Sequence, residues 1–216
     1  MAVEITVRGV AESRYAAERA TVLVTAVVEG TDKQVVYDRA IAAQDAITAQ
    51  LRELVDKGAV TTWSSDQVHV FMYRAWADGD RQGAPVQQAN VGISAEFADF
   101  ERLSGFIDYW AGRDGVEIGG LAWDVTDRSR RTFEADVRRA AVDNAVNKAK
   151  AYADAIRRDR VSITRIADVG LLASGPPDSP MSVRTTAFPV DSAGGLKVTP
   201  QQITIRVEVD AQFDAD

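Results

Sequence analysis

The chain has 216 residues, of which 46% are hydrophobic and 26% charged, with a formal net charge of −7, one histidine and no cysteine. That length holds one large domain or two small ones and suffices to bury a core, while the acidic balance argues against a general nucleic-acid binder, which needs a basic footprint. The missing cysteines remove disulfides, thiol catalysis and cysteine-based metal sites, and no run reaches the roughly 18 apolar residues of a membrane helix.

Residues 3–9 alternate, with Val3, Ile5 and Val7 facing one way and Glu4, Thr6 and Arg8 the other, which predicts a half-buried strand. Met1-Ala-Val-Glu4 leads into it without a basic or apolar leader. The expected location is therefore cytoplasmic if residue 1 is the native start, and exported if a signal peptide has been removed. A second strand is expected from about Ala20 to Glu29. Val22, Val24, Ala26 and Val28 share one face while Leu23 and Val27 make the other partly apolar, so it should be central. Gly30-Thr-Asp32 reads as a turn and cap. The helix after it should run to about Lys57 on a stripe of Val36, Ala40, Ala43, Ile47, Leu51 and Leu54, with Gly58 as its stop.

A third strand is expected at about 61–75 and a fourth at about 86–97, joined by the polar, glycine-bearing tip Asp78-Gly-Asp-Arg-Gln-Gly83. Phe100 to Gly112 reads as a short helix with Leu103, Phe106, Ile107 and Trp110 on its apolar side. The alternation of Leu121, Trp123 and Val125 gives another strand. The period then changes to three and four over Phe133, Val137, Ala140, Ala141, Ala145, Ala149, Tyr152, Ala155 and Ile156, one buried face of a helix reaching to about Arg160. Thr126, Asp127 or Ser129 can cap it. A strand at about 163–173 follows. Ser174–Pro200 then holds five of the six prolines with Gly194-Gly195, a connection long enough to be functional or mobile. Ile203, Ile205, Val207, Val209 and Ala211 close the chain as a strand with one wet face.

The resulting order is β-β-α-β-β-α-β-α-β-β. It describes an α+β fold with a mainly antiparallel sheet and helices packed on it. No linker divides it, so a single domain over 1–216 is expected, with a Pro/Gly/Ser-rich loop at about 174–200.

Signals for chemistry are sparse. His69 is the only histidine and reads as a partly exposed strand residue, since without cysteines it cannot build a histidine-rich metal site. Asp78-x-Asp80-x-x-Gly83 starts like a calcium loop, but Ala89 stands where the bidentate glutamate belongs. Gly115-Val-Glu-Ile-Gly-Gly120 matches neither phosphate-loop spacing and precedes a strand. Carboxylates are plentiful, yet sequence alone promotes no pair to acid and base. No catalytic, cofactor or metal residue is therefore expected. Arg128, Arg130 and Arg131 open the long helix and are candidates for an anion or partner surface, against the reading of a solvated face with Glu134→Arg138 and Asp154→Arg158 pairs. Trp110 and Trp123 fall on apolar faces. Trp76, beside the polar tip, and Tyr73 on the same strand are the candidate interface residues.

A strand ending in Trp123-x-Val-x-Asp127, followed by the charged, alanine-repeating helix Ala140-Ala-Val-Asp-Asn-Ala-Val-Asn-Lys-Ala-Lys-Ala-Tyr-Ala153, resembles the SIMPL-domain family, also called the oxidative stress defence family. Ile5-Thr-Val-Arg-Gly9, Ala20-Thr-Val-Leu-Val-Thr25 and Ile203-Thr-Ile-Arg-Val-Glu-Val209 resemble its first two strands and its last. The resemblance spans nearly the whole chain and carries structural patterns rather than catalytic signatures. It implies the fold and a loose tie to stress defence or signalling complexes. The expectation is a non-enzymatic protein acting by association, with homo-oligomers first and an unknown protein partner also open. The alternatives are a small-molecule or anion binder with a pocket between sheet and long helix and, ranked last, an enzyme built on scattered carboxylates.

Overall fold

A computed structural model describes residues 2–77, 81–172 and 198–216, with the side chains of 75–77 and 81–82 outside that description. In chain order the elements are β1 (Val3–Ala16), β2 (Arg19–Gly30), α1 (Lys33–Asp56), β3 (Val60–Ser65), β4 (His69–Ala77), β5 (Arg81–Phe97), α2 (Phe100–Ala111), β6 (Val116–Asp124), α3 (Asp127–Ala155), β7 (Val161–Asp168) and β8 (Gln202–Ala215). All pairings are antiparallel, and three helices accompany them, as an α+β fold requires. The strand expected at 61–75 is two strands. At Asp66 the chain turns off: its N–H donates to the Gly92 carbonyl at 2.8 Å. Its carboxylate lies where a Cβ on residue 92 would come within 2.7 Å, so glycine makes that break possible. The expected loop at 174–200 lies outside the described residues up to 197, as do Asp78, Gly79 and Asp80 of the hairpin tip. No described helix is long and apolar enough to cross a membrane.

The described residues fall into two compact units. The first contains the chain up to Ala16, residues 125–172 and Gln202–Asp216; the second contains Ala17–Asp124 and residues 198–201. The crossing points, 16/17 and 124/125, carry no proline or glycine, and the polar run from Thr126 to Thr132 is taken up by the start of α3, so no linker marks the division.

In the first unit the strand order is β1-β8-β7. β1 and β8 pair over their whole lengths, from Val3 opposite Ala215 to Ala16 opposite Gln202, which ties the two ends of the chain together. Their apolar faces, Ile5, Val7, Val209, Ala211, Phe213 and Ala215, are buried under α3. The helix starts at Thr126, whose hydroxyl accepts from the Ser129 N–H at 3.3 Å. It ends where Arg157 takes φ 59°, five residues short of the expected end at Arg160.

The buried line of α3 is narrower than the periodicity predicted: Val137, Ala141, Ala145, Ala149 and Ala153, at a strict spacing of four. Ala140, Ala155, Tyr152 and Ile156 are exposed, the last two by 60% and 48%. Phe133 is half-buried and stacks on Tyr15 with ring centroids 3.8 Å apart. The cause is close approach. Opposite this line sits Gly9, where a Cβ would come within 2.1 Å of the Ala141 carbonyl oxygen and 2.8 Å of the Ala145 Cβ. Small residues on both sides let backbone meet backbone, and larger side chains are pushed to the flanks.

In the second unit the order is β3-β5-β2-β6, with β4 also paired to β5. β2 is central, as its two-sided apolar pattern predicted. Val22, Val24, Ala26 and Val28 point into a core shared with Val36, Ile47, Leu51, Val91, Ile93, Phe97 and Phe106. Asp32 and Asp99 cap α1 and α2 by accepting from the N–H groups two and three residues on. Leu103, Phe106, Ile107 and Trp110 of α2 are buried as expected, and the Trp110 indole N–H donates to Gln50 Oε1 at 2.6 Å. Trp123 is buried too, edge-on to Phe100 at 4.9 Å.

Gly9→Ala should therefore destabilise the fold by about 1–3 kcal/mol, the usual cost of overpacking a tight contact. Arg138→Ala, on the exposed side of α3, should change stability by less than about 0.5 kcal/mol. Chemical denaturation followed by circular dichroism measures both, and equal small effects would contradict the assigned helix face.

Candidate functional site

β5 is the longest described strand, at 17 residues. β2 covers it only from Gln87, opposite Gly30, to Phe97, opposite Ala20. Beyond Gln87, β5 pairs with β4 alone: Tyr73 opposite Val86, Arg74 opposite Pro85, then Trp76 opposite Gln82 after a register shift. The hairpin thus continues past the end of β2 as a two-stranded ribbon.

On β4 the alternation sends Val70 inward, packed with Val28, Val36, Ala40 and Ala89. Phe71 points the other way, opposite Gln88. Phe71, Met72 and Tyr73 are 46%, 56% and 36% exposed, three large hydrophobic residues in succession. Tyr73 is held at its rim, its hydroxyl donating to Glu29 Oε1 at 2.9 Å. That hydrogen bond, with smaller contributions from desolvation and the carboxylate charge, raises the phenol above its ordinary pKa and keeps it a donor. Sequence reasoning chose Tyr73 and Trp76 on this strand but missed Phe71 and Met72. Their signal was an apolar run on both faces of a strand, which reads equally as a buried strand until its neighbours are known. Trp76 lies in the ribbon by its backbone pairing; its side chain is outside the description.

Arg128, Arg130 and Arg131 stand in the first turns of α3, Arg128 and Arg131 exposed and Arg130 half-buried, next to the first-turn acid Asp127. They belong to the first unit and β4 to the second. His69 is exposed at the start of β4. Among the described residues no three His, Asp or Glu side chains are placed to hold a metal ion. One cavity of about 480 Å³ is lined by Gln50, Asp99, Arg102 and Phe106, and another of about 400 Å³ by Thr6, Arg8, Leu172, Asp210 and Gln212. Neither is lined by α3.

The most elaborate polar cluster went unforeseen. In the first unit Arg8 and Asp210 are cross-strand partners, with Arg8 Nε 2.8 Å from Asp210 Oδ1 and Nη2 3.4 Å from Oδ2. Gly170 N–H donates to Asp210 Oδ2 at 3.1 Å, so the turn after β7 is fastened to the sheet. Glu208 lies 3.6 Å from Arg8 and also accepts from Arg206. The Arg8 hydrogen bonds above all, then the Gly170 N–H and the Arg8 charge, hold the Asp210 carboxyl below its ordinary pKa against desolvation. Alternation had put both residues on wet strand faces, but only the register shows that they meet. Each member has a partner within the fold, and the cluster reads as a register lock.

Helix-on-sheet units with antiparallel strands and an exposed apolar edge define an α+β protein whose most distinctive surface is a strand edge. The chain belongs to the SIMPL family: the family model described as "Protein of unknown function (DUF541)" matches residues 5–213. No curated protein matches the chain.

The Asp210 cluster yields a pH dependence with a definite sign. A carboxyl with a depressed folded-state pKa stabilises above the unfolded value, about 3.9, and that contribution is lost as pH falls through the folded value. Asp210→Asn should cost roughly 1–2 kcal/mol near neutral pH. The gap to wild type should close on acidification below about pH 4. Denaturation at a series of pH values measures it, and a gap independent of pH would refute the charge-based account.

Proposed function

We propose that this SIMPL-family chain acts without catalysis, by associating with copies of itself, in a role tied to stress defence or signalling. The observation that supports it is the succession Phe71, Met72, Tyr73, exposed on a strand that has no outer partner among the described residues. Solvent-exposed apolar strand edges are templates for pairing, and soluble proteins otherwise protect them. Trp76 joins this surface on sequence grounds, as a large aromatic beside a polar tip. The reading of a small-molecule or anion binder with a pocket between sheet and long helix has less support. The Ala141, Ala145, Ala149 and Ala153 line is fully buried against the sheet, and neither cavity lies there.

Light scattering on the purified chain at roughly tens of micromolar, where weak but specific contacts become populated, should give a mass well above the 23.4 kDa monomer. Trp76→Ala should lower it while circular dichroism stays unchanged. A monomer throughout that range overturns the proposal. A thermal-shift screen with acidic metabolites and nucleotides decides the second reading, since a ligand of the native state raises the melting temperature.

A further inference from the structure

The five sheet edges among the described residues are protected unequally. β1 carries Glu4, Arg8, Glu12 and Arg14 along its length. β3 is only 6 residues long and its pairing shifts between Val60 and Thr62. β6 holds Glu117, Gly119 and Gly120, with a register shift against β2. β7 exposes Ile163 and Ile166, yet it bears Arg165 and Asp168 and its register breaks between Ile163 and Arg165. Charges, glycines, short lengths and bulges are the usual means of discouraging edge-to-edge pairing. β4 has none of them over its first five residues. His69-Val-Phe-Met-Tyr73 contains no Asp, Glu, Lys, Arg, Pro or Gly, and its register with β5 is unbroken until Arg74.

The same five residues match themselves. An antiparallel pairing that places Phe71 opposite Phe71 of a second copy sets His69 opposite Tyr73 and Val70 opposite Met72. Because side chains alternate, the ring-bearing residues 69, 71 and 73 then share one face and the aliphatic residues 70 and 72 share the other. No like charges meet, although each chain carries a net charge of −7. The strand is already ordered by β5, so pairing requires little further ordering. An arbitrary peptide would satisfy the backbone groups equally but not this two-faced match.

We propose that two copies of this chain join through β4, antiparallel and centred on Phe71, so that the sheets of the two second units continue across the contact. The inference rests on the self-association reading and specifies its surface and register.

The test uses the absence of native cysteine. Directly opposed residues in an antiparallel pair have Cα atoms about 4.5–5.5 Å apart, within the range a disulfide spans. Phe71→Cys should give a covalent dimer on mild oxidation, seen by non-reducing electrophoresis. Mixing His69→Cys with Tyr73→Cys should give a heterodimer. Leu23→Cys, exposed on central β2, and Thr164→Cys, on the competing edge β7, should stay monomeric on the gel. Phe71→Lys should reduce the light-scattering mass of the native protein, with circular dichroism confirming the fold. A wild type that is oligomeric, with no cross-link at 71 and no effect of Phe71→Lys, overturns the β4 register and leaves self-association standing. Cross-linking at 164 instead moves the contact to β7 and overturns it too. A monomeric wild type removes both this inference and the reading beneath it.

Discussion

The second unit is arranged along β5, because β2, β3 and β4 all take their hydrogen-bond register from its 17 residues. Its neighbours are shorter, and the mismatch has to appear somewhere. On one side β2 stops at Gly30, opposite Gln87. On the other, β3 and β4 share its length in succession, separated by the turn at Asp66 that Gly92 accommodates. The consequence is an edge strand whose inner residue Val70 is needed for the core while Phe71, Met72 and Tyr73 remain half in water. The burial that would stabilise such side chains, about 1.5–3 kcal/mol each when complete, is left unrealised within the described residues. That unspent burial is the physical argument for association.

The first unit solves a different problem. Among the described residues its sheet has three strands, few for a stable layer unless a helix covers it closely. Gly9 and the line of alanines on α3 bring the two backbones together, and the Arg8–Asp210 pair on the opposite face secures the register of β1 against β8. A one-residue slip there would bury Arg8 and Glu208 and expose Ile5 and Phe213, so the register is strongly specified.

Much of this was readable from the chain. The alternation of β1 and β8, the two-sided pattern of β2 and the stripes of α1 and α2 identified strands, helices and most of the core, because local periodicity reports which face is buried. The split of residues 61–75 was not readable, since it depends on a carboxylate meeting a glycine on another strand. The stripe on α3 came out too wide for a related reason. Phe133, Tyr152 and Ile156 have helical spacing, but how closely the helix approaches is set by Gly9, over a hundred residues earlier. The candidate surface was half legible: Tyr73 and Trp76 were singled out for their side chains, whereas Phe71 and Met72 acquire meaning only because β4 has no outer partner among the described residues.

Amide hydrogen exchange over a concentration series probes this edge, because pairing across β4 must hydrogen-bond backbone groups that have no second strand partner among the described residues. Exchange within residues 69–73 should slow as concentration rises through the association range, while the amides of β7 and of the exposed face of α3 keep their rates. Association accompanied by unchanged exchange at 69–73 would contradict pairing across β4.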